Sequence, residues 1–181
     1  MKWIIASDLH GSAYYCQKLI EKFRMEKADR ILLLGDILYH GPRNELPKNY
    51  NPKEVIAMLN GISDRLLCVR GNCDAEVDQM VLDFPIMADY AVLDFGSRAI
   101  YATHGHIYNE TNPLKFAKGS IMICGHFHVP AIKEMDGFTC LNDGSLSLPK
   151  ENSFHSCMTF DGKTFIWYDI ETGEKKMEYS I

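Results

Sequence analysis

The chain has 181 residues, 46% of them hydrophobic, enough for one substantial core in a globular, enzyme-sized unit. A formal net charge of −5 gives no general attraction to nucleic acid or to an anionic membrane, so broad nucleic-acid binding is not expected. The apolar run Trp3 to Ala6 is too short for a signal peptide or a membrane span, and the six cysteines stand singly with no CxxC pair; a cytoplasmic protein with reduced, mostly buried thiols is expected.

In chain order, Lys2 to Ala6 reads as a buried strand. After Gly11, Tyr15, Leu19 and Phe23 recur every fourth residue, which predicts an amphipathic helix capped by Ser12. Arg30 to Leu34 is a second strand. Asn51-Pro52-Lys53-Glu54 combines a capping Asn, Pro at the first helical position and Glu at the third, and so opens a second helix. Arg65 to Val69 is a third strand, and strands separated by helices imply right-handed crossovers and a parallel core sheet. The second half changes to hairpin signals: Tyr90 to Phe95 and Arg98 to Thr103 about Gly96-Ser97, Ile132 to Met135 and Phe138 to Leu141 about Asp136-Gly137, and Cys157 to Phe160 and Thr164 to Tyr168 about Asp161-Gly162-Lys163. No linker, repeat or low-complexity tract divides the chain, so residues 1–181 are expected to form a single α/β domain, two packed sheets with helices outside.

Chemistry concentrates at the ends of apolar runs. Asp8, His10, Asp36, Asn72, His104, His126 and His128 supply seven oxygen and nitrogen donors, enough for two metal ions side by side. Residues two apart in an extended segment share a side, so Asp8 with His10, His104 with His106 and His126 with His128 are each expected to aim as a pair. In parallel sheets ligands collect beyond the carboxyl ends of strands, where Asp8, Asp36 and Asn72 fall. Mixed carboxylate, amide and imidazole donors suit manganese, iron, zinc or nickel, whereas calcium would want oxygen alone.

Two dications ~3.5 to 4 Å apart need a bridging anion, and Asp36 after Gly35 fits that role. Asp8 and Asp36 offset half of the four positive charges, leaving about +2 for phosphate oxygens or hydroxide to fill. A bridging water brought towards neutral pKa supplies hydroxide for in-line attack on phosphorus, so phosphoester hydrolysis is the expected reaction. A lone Asp-x-His or Gly-Asp is common by chance; the ordered series carries the reading. His40 and His155 lack such company and are expected to have a surface or hydrogen-bonded structural role, His106 is intermediate, and Met58, Met80 and Met122 read as core filler.

Asp8-Leu9-His10, Gly35-Asp36 with Gly41, Gly71-Asn72-Cys73-Asp74, His104-Gly105-His106 and Gly125-His126-Phe127-His128 resemble the signature series of the calcineurin-like metallophosphoesterases. Ser7 to Ser12, His40-Gly41-Pro42-Arg43-Asn44 and Arg70 to Asp74 extend the resemblance to the small bacterial phosphodiesterases of the YfcE type, over nearly the whole chain. The resemblance implies a four-layered α/β/β/α sandwich of two mixed sheets flanked by helices. It also implies one ion on Asp8, His10, Asp36 and His128 and a second on Asp36, Asn72, His104 and His126. Manganese is the usual ion and homo-oligomers are common there, so two Mn2+ ions, a small-molecule phosphodiester substrate and a homo-oligomer are expected.

Two residues depart from the family pattern. Cys73 stands where many relatives carry a His that protonates the leaving group or contacts phosphate; a thiol does this poorly, which favours esters with good leaving groups. Asn142-Asp143-Gly144-Ser145 replaces Asn-Pro-Gly-Ser, and because Asp143 can still form the turn a small effect is expected. The alternatives are a catalytically silent metal-binding scaffold of the same fold, as in a retromer subunit, and a phosphomonoesterase or nucleotide pyrophosphohydrolase. Intact ligands favour catalysis, and a purely structural zinc site would prefer Cys-rich coordination. Arg43 or His40 could reach substrate, with loop anchoring or a surface role as the alternative.

Overall fold

The computed structural model describes residues 1–95 and 98–181, so the expected Gly96-Ser97 turn lies outside the described residues. Strand β1 (Trp3–Ala6) leads to helix α1 (Ala13–Met25), whose start is capped by Ser12 Oγ accepting from the Tyr15 N–H at 3.3 Å. Tyr15, Cys16, Leu19 and Ile20 form its buried stripe, and Phe23 packs beside them half-buried. Strand β2 (Arg30–Leu33) follows, then α2 (Pro52–Asn60), with Asn51 Oδ1 accepting from the Glu54 N–H at 3.3 Å and Val55 and Leu59 buried. Both helices begin where the capping residues place them. After β3 (Leu66–Cys68) and the single turn α3 (Glu76–Gln79), the chain runs through β4 (Tyr90–Asp94), β5 (Ala99–Thr103), β6 (Ser120–Cys124), β7 (Ala131–Met135), β8 (Phe138–Asn142), β9 (Ser156–Phe160), β10 (Thr164–Asp169) and β11 (Lys175–Ser180).

The class is the expected one, α/β with two mixed sheets of six and five strands. In the first, ordered β11-β10-β9-β1-β2-β3, the parallel strands β1, β2 and β3 are linked through α1 and α2, and β9 runs antiparallel to β1. In the second, ordered β4-β5-β6-β8-β7, strands β5, β6 and β8 are parallel and β4 and β7 are antiparallel edges. The expected hairpin partners pair in all three cases, including β4 with β5. Strands β6 and β11 were not anticipated. Every residue of β6 is buried, so it shows no alternation, while β11 is an edge strand whose Lys175, Lys176 and Glu178 hide the pattern.

Side-chain alternation on β1 separates two cores. Ile4 and Ala6 meet Leu19, Val55 and Leu59 under the helices; Trp3 and Ile5 join Ile121, Ile123, Leu141, Phe160 and Trp167 between the sheets. Each fully buried apolar side chain of this kind stabilises the fold by roughly 1.5–3 kcal/mol. Outside the second sheet, Met122, Cys124 and Cys140 are covered by Phe116 from the segment 105–119, which carries no helix. Parallel β1, β2 and β3 end at one rim, as do β5 and β6, and the two rims face each other.

Candidate metal centre

Asp8 and His10 follow β1, Asp36 follows β2, Asn72 follows β3, His104 follows β5, and His126 and His128 follow β6. The structure brings all seven together. Ligand atoms of Asp8, His10 and His128 lie within 4.8 Å of one another, as do those of Asp8, Asp36 and His104. On one side, His128 Nε2 is 3.1 Å and His10 Nε2 3.4 Å from Asp8 Oδ1. On the other, His104 Nε2 is 3.1 Å from Asn72 Oδ1 and 3.2 Å from His126 Nδ1. Asp36 Oδ2 stands between the groups, 3.6 Å from both His10 Nε2 and His104 Nε2. The first group is buried, whereas His126 is half-buried and Asn72 exposed, so the second opens to solvent.

Strand alternation does not do the aiming. Asp8, His10, Asp36, His126 and His128 have φ of 57°, 49°, 56°, 65° and 62°, in the left-handed region that costs a non-glycine residue of order 1–3 kcal/mol. Each donor is therefore turned inward by a tight backbone turn beyond its strand. Backbone bonds past the strand ends hold these turns, with Asp8 N donating to Gly35 O at 3.1 Å and His10 N to Asp36 O at 2.8 Å. Two glycines let the loops close: a Cβ on Gly71 would lie 2.1 Å from Asp36 Oδ1, and one on Gly125 would lie 1.8 Å from Ser7 Oγ.

Hydrogen bonds fix which atoms face the centre. The Nδ1–H groups of His10, His104 and His128 donate to the carbonyls of Tyr39 (2.7 Å), Leu34 (2.7 Å) and Leu148 (2.6 Å), which leaves each Nε2 lone pair directed at the carboxylates. Asp8 Oδ2 accepts from Ser7 Oγ at 2.6 Å and His126 N at 3.0 Å, and Asp36 Oδ1 accepts from Cys73 N at 2.8 Å. Asp8 Oδ1 and His10 Nε2 are buried with no hydrogen-bond partner. Facing lone pairs kept from water are costly unless a cation sits among them, and this donor set fits divalent metal ions.

Electrostatics agree. Burial is the largest influence on Asp8 and raises it, but His10 and His128, when they carry a proton on Nε2, hold it well below the usual carboxylate range, so a proton or a metal cation can fill the same gap. Burial, followed by the nearby His104, pushes His126 down to about 4, so it is neutral with a free ring nitrogen at neutral pH.

Supporting groups appear that motif reading did not assign. Asp74 locks the Asp36 turn: its Oδ2 accepts from the N–H groups of Gly71 (2.7 Å) and Asp36 (2.8 Å), and its Oδ1 from Ile37 (2.9 Å). Burial raises this carboxyl despite the three donors. Asp143 forms the expected turn, its N–H donating to Cys124 O at 2.8 Å, but its side chain does not sit as an ordinary turn residue's would. It is fully buried, neither carboxylate oxygen has a hydrogen-bond partner, and burial followed by the charge of Asp8 pushes it well above the ordinary range.

A cavity of about 270 Å³ opens on the centre, walled by His10, Asp36, Asn72, His126 and His128, by Cys73 and by Arg43 and Lys150. Burial, and next the charge of Asp36, raises the Cys73 thiol. His40 sits instead between the rings of Tyr39 and Tyr50, and His106 beside His104 and His126. His155 is structural as expected, held by Tyr15 Oη at 2.8 Å and Leu146 O at 2.9 Å. Lys150 is the lining residue that sequence reasoning missed. It lies in a loop remote in sequence from the ligand motifs, brought in by long-range bonds such as those from its N–H to His128 O (3.1 Å) and from His128 Nδ1 to Leu148 O (2.6 Å).

A family model described as the calcineurin-like phosphoesterase superfamily domain matches residues 1–164. Phosphodiesterase YfcE of Escherichia coli strain K12 is 39% identical over 150 residues, covering 83% of this chain and 82% of the relative. The solved structure of E. coli YfcE, described as a phosphoesterase, superposes with a TM-score of 0.96 at 34% identity, covering 100% of both chains. The probable metallophosphoesterase YsnB of Bacillus subtilis is 27% identical over 180 residues, covering 93% of this chain and 91% of the relative.

Proposed function

This chain belongs to the calcineurin-like phosphoesterase superfamily, and on that premise we propose that it is a metal-dependent phosphodiesterase with a dinuclear centre. Asp8, His10, Asp36 and His128 would hold one ion and Asp36, Asn72, His104 and His126 the other, Asp36 being shared between the two sets. When bound, the ions supply an activated water as nucleophile and offset the charge that develops on the phosphoryl oxygens. The observation that carries this reading is the buried, unpartnered pair Asp8 Oδ1 and His10 Nε2, set beside a carboxylate equidistant from two histidines.

The chain's own residues order the chemistry. Carbonyl-anchored imidazoles present Nε2 without rearrangement, Asp74 keeps Asp36 aimed, and the exposed Asn72 and half-buried His126 leave the second position open for the ester. Cys73, its thiol held protonated, is a weak proton donor to a departing alkoxide, so diesters whose leaving groups need no proton, such as aryl phosphodiesters, are favoured. Mn2+ as the ion, a cytoplasmic location, residues 1–181 as one domain and a homo-oligomeric state complete the proposal. No helix among the described residues is long and apolar enough to cross a membrane.

The test is hydrolysis of bis(4-nitrophenyl) phosphate with each divalent ion in turn. Turnover with Mn2+ that falls by more than roughly 100-fold in Asp36→Asn is expected, since even outer-shell partners of a metal are worth 10 to 100-fold. Absence of turnover with every ion would leave the scaffold reading. Cys73→His should raise activity on diesters with poor leaving groups; no gain there would remove the leaving-group assignment.

A further inference from the structure

Two of the side chains lining the cavity over the metal centre are basic, Arg43 and Lys150, and they come from different loops. Neither has a carboxylate within salt-bridge distance among the described residues. Of the 19 lysines and arginines, seven have a salt-bridge carboxylate among the described residues (Lys2, Lys22, Arg65, Arg70, Lys133, Lys175 and Lys176), so what sets Arg43 and Lys150 apart is their shared place at the metal cavity. The backbone of both residues is fixed. Lys150 donates its N–H to His128 O at 3.1 Å, and Ser153 N donates to Lys150 O at 3.0 Å. Arg43 lies in a turn closed by Asn44, whose side chain donates to His40 O at 2.8 Å and whose N–H donates to Gly41 O at 3.4 Å.

A phosphodiester brings one negative charge, which the two ions already meet. Two further unpaired cations at the same cavity are surplus to that charge, and they suit a second anion. We propose that Arg43 and Lys150 form an anion subsite beside the metal centre, selecting phosphodiesters that carry a second phosphate or carboxylate a short linker away from the scissile group. The assignment rests on the phosphodiesterase reading for the place of that scissile group. Arg43 supplies a planar fork to the second anion and Lys150 a mobile point charge.

The test is calorimetric binding of thymidine 5′-phosphate and thymidine 3′,5′-bisphosphate, two probes differing by one phosphate, to the Mn2+-loaded protein. The bisphosphate should bind roughly tenfold more tightly, the scale of one hydrogen bond between charged groups. That preference should shrink several-fold in Arg43→Ala or Lys150→Ala, vanish in the double variant, survive in Lys150→Arg, and weaken at high salt. Lys163→Ala controls for net charge, because register places the β9–β10 turn at the end of β1 opposite the ligands. Equal affinity of the native protein for both probes, or loss of both probes in equal measure, would overturn the assignment. Turnover of bis(4-nitrophenyl) phosphate in the same preparations reports separately on the enzyme reading: no turnover with the preference intact would sink that reading alone.

Discussion

Two turns at the rim each bury a carboxyl group behind a metal-facing aspartate, and they do so in opposite ways. In the turn after β3, Asp74 accepts three backbone N–H groups and so fixes the backbone that carries Asp36. In the turn after β8, Asp143 lies near Asp8 with both oxygens unpartnered. Burial raises both carboxyls. The difference is that the first is a hub of hydrogen bonds and the second an expense to the fold, so depth alone does not say what a buried acid contributes.

The same substitution in the two turns should therefore act with opposite sign. Asp74→Asn turns an amide NH2 toward backbone donors and strands at least one of them, costing about 3 kcal/mol; a fall in Tm of about 10 °C and a loss of metal-dependent turnover are expected. An unchanged Tm would erase the contrast. Asp143→Asn should raise stability by about 1–2 kcal/mol at neutral pH, measured in chelator so that metal loading does not intrude. The sign follows from linkage: with the folded carboxyl raised, its contribution to stability is complete below the ordinary aspartate range near ~3.9 and is lost as pH rises toward the folded value. The advantage of Asp143→Asn should thus grow with pH and disappear in acid; an advantage independent of pH would assign it to packing. Smallest is Ser7→Ala, which removes the 2.6 Å hydrogen bond to Asp8 Oδ2 and should weaken metal binding roughly tenfold with little change in Tm.

The same two turns mark how far the sequence can be read. Residue type and position beyond apolar runs were enough to gather Asp8, His10, Asp36, Asn72, His104, His126 and His128, because strand ends are visible as hydrophobic runs that stop at glycine and polar residues. The left-handed φ values that aim five of them were not visible, since only tertiary hydrogen bonds hold Asp and His in that region. Helix starts at Ser12 and Asn51 were legible because caps are local chemistry. Strand β6 lacked any period, Lys150 reaches the cavity through a long-range backbone contact, and Asp143 reads as an ordinary turn former until its surroundings are known.

Asp8, His10, Asp36 and Asn72 grow from the first sheet, and His104, His126 and His128 from the second. Any cations seated among them act as rivets across the seam between the two layers, and His104, anchored on Leu34 O, is already stitched over it. Stripping the ions would then slacken the joint before either layer melts, so hydrogen exchange in chelator should quicken first along the loops that meet there.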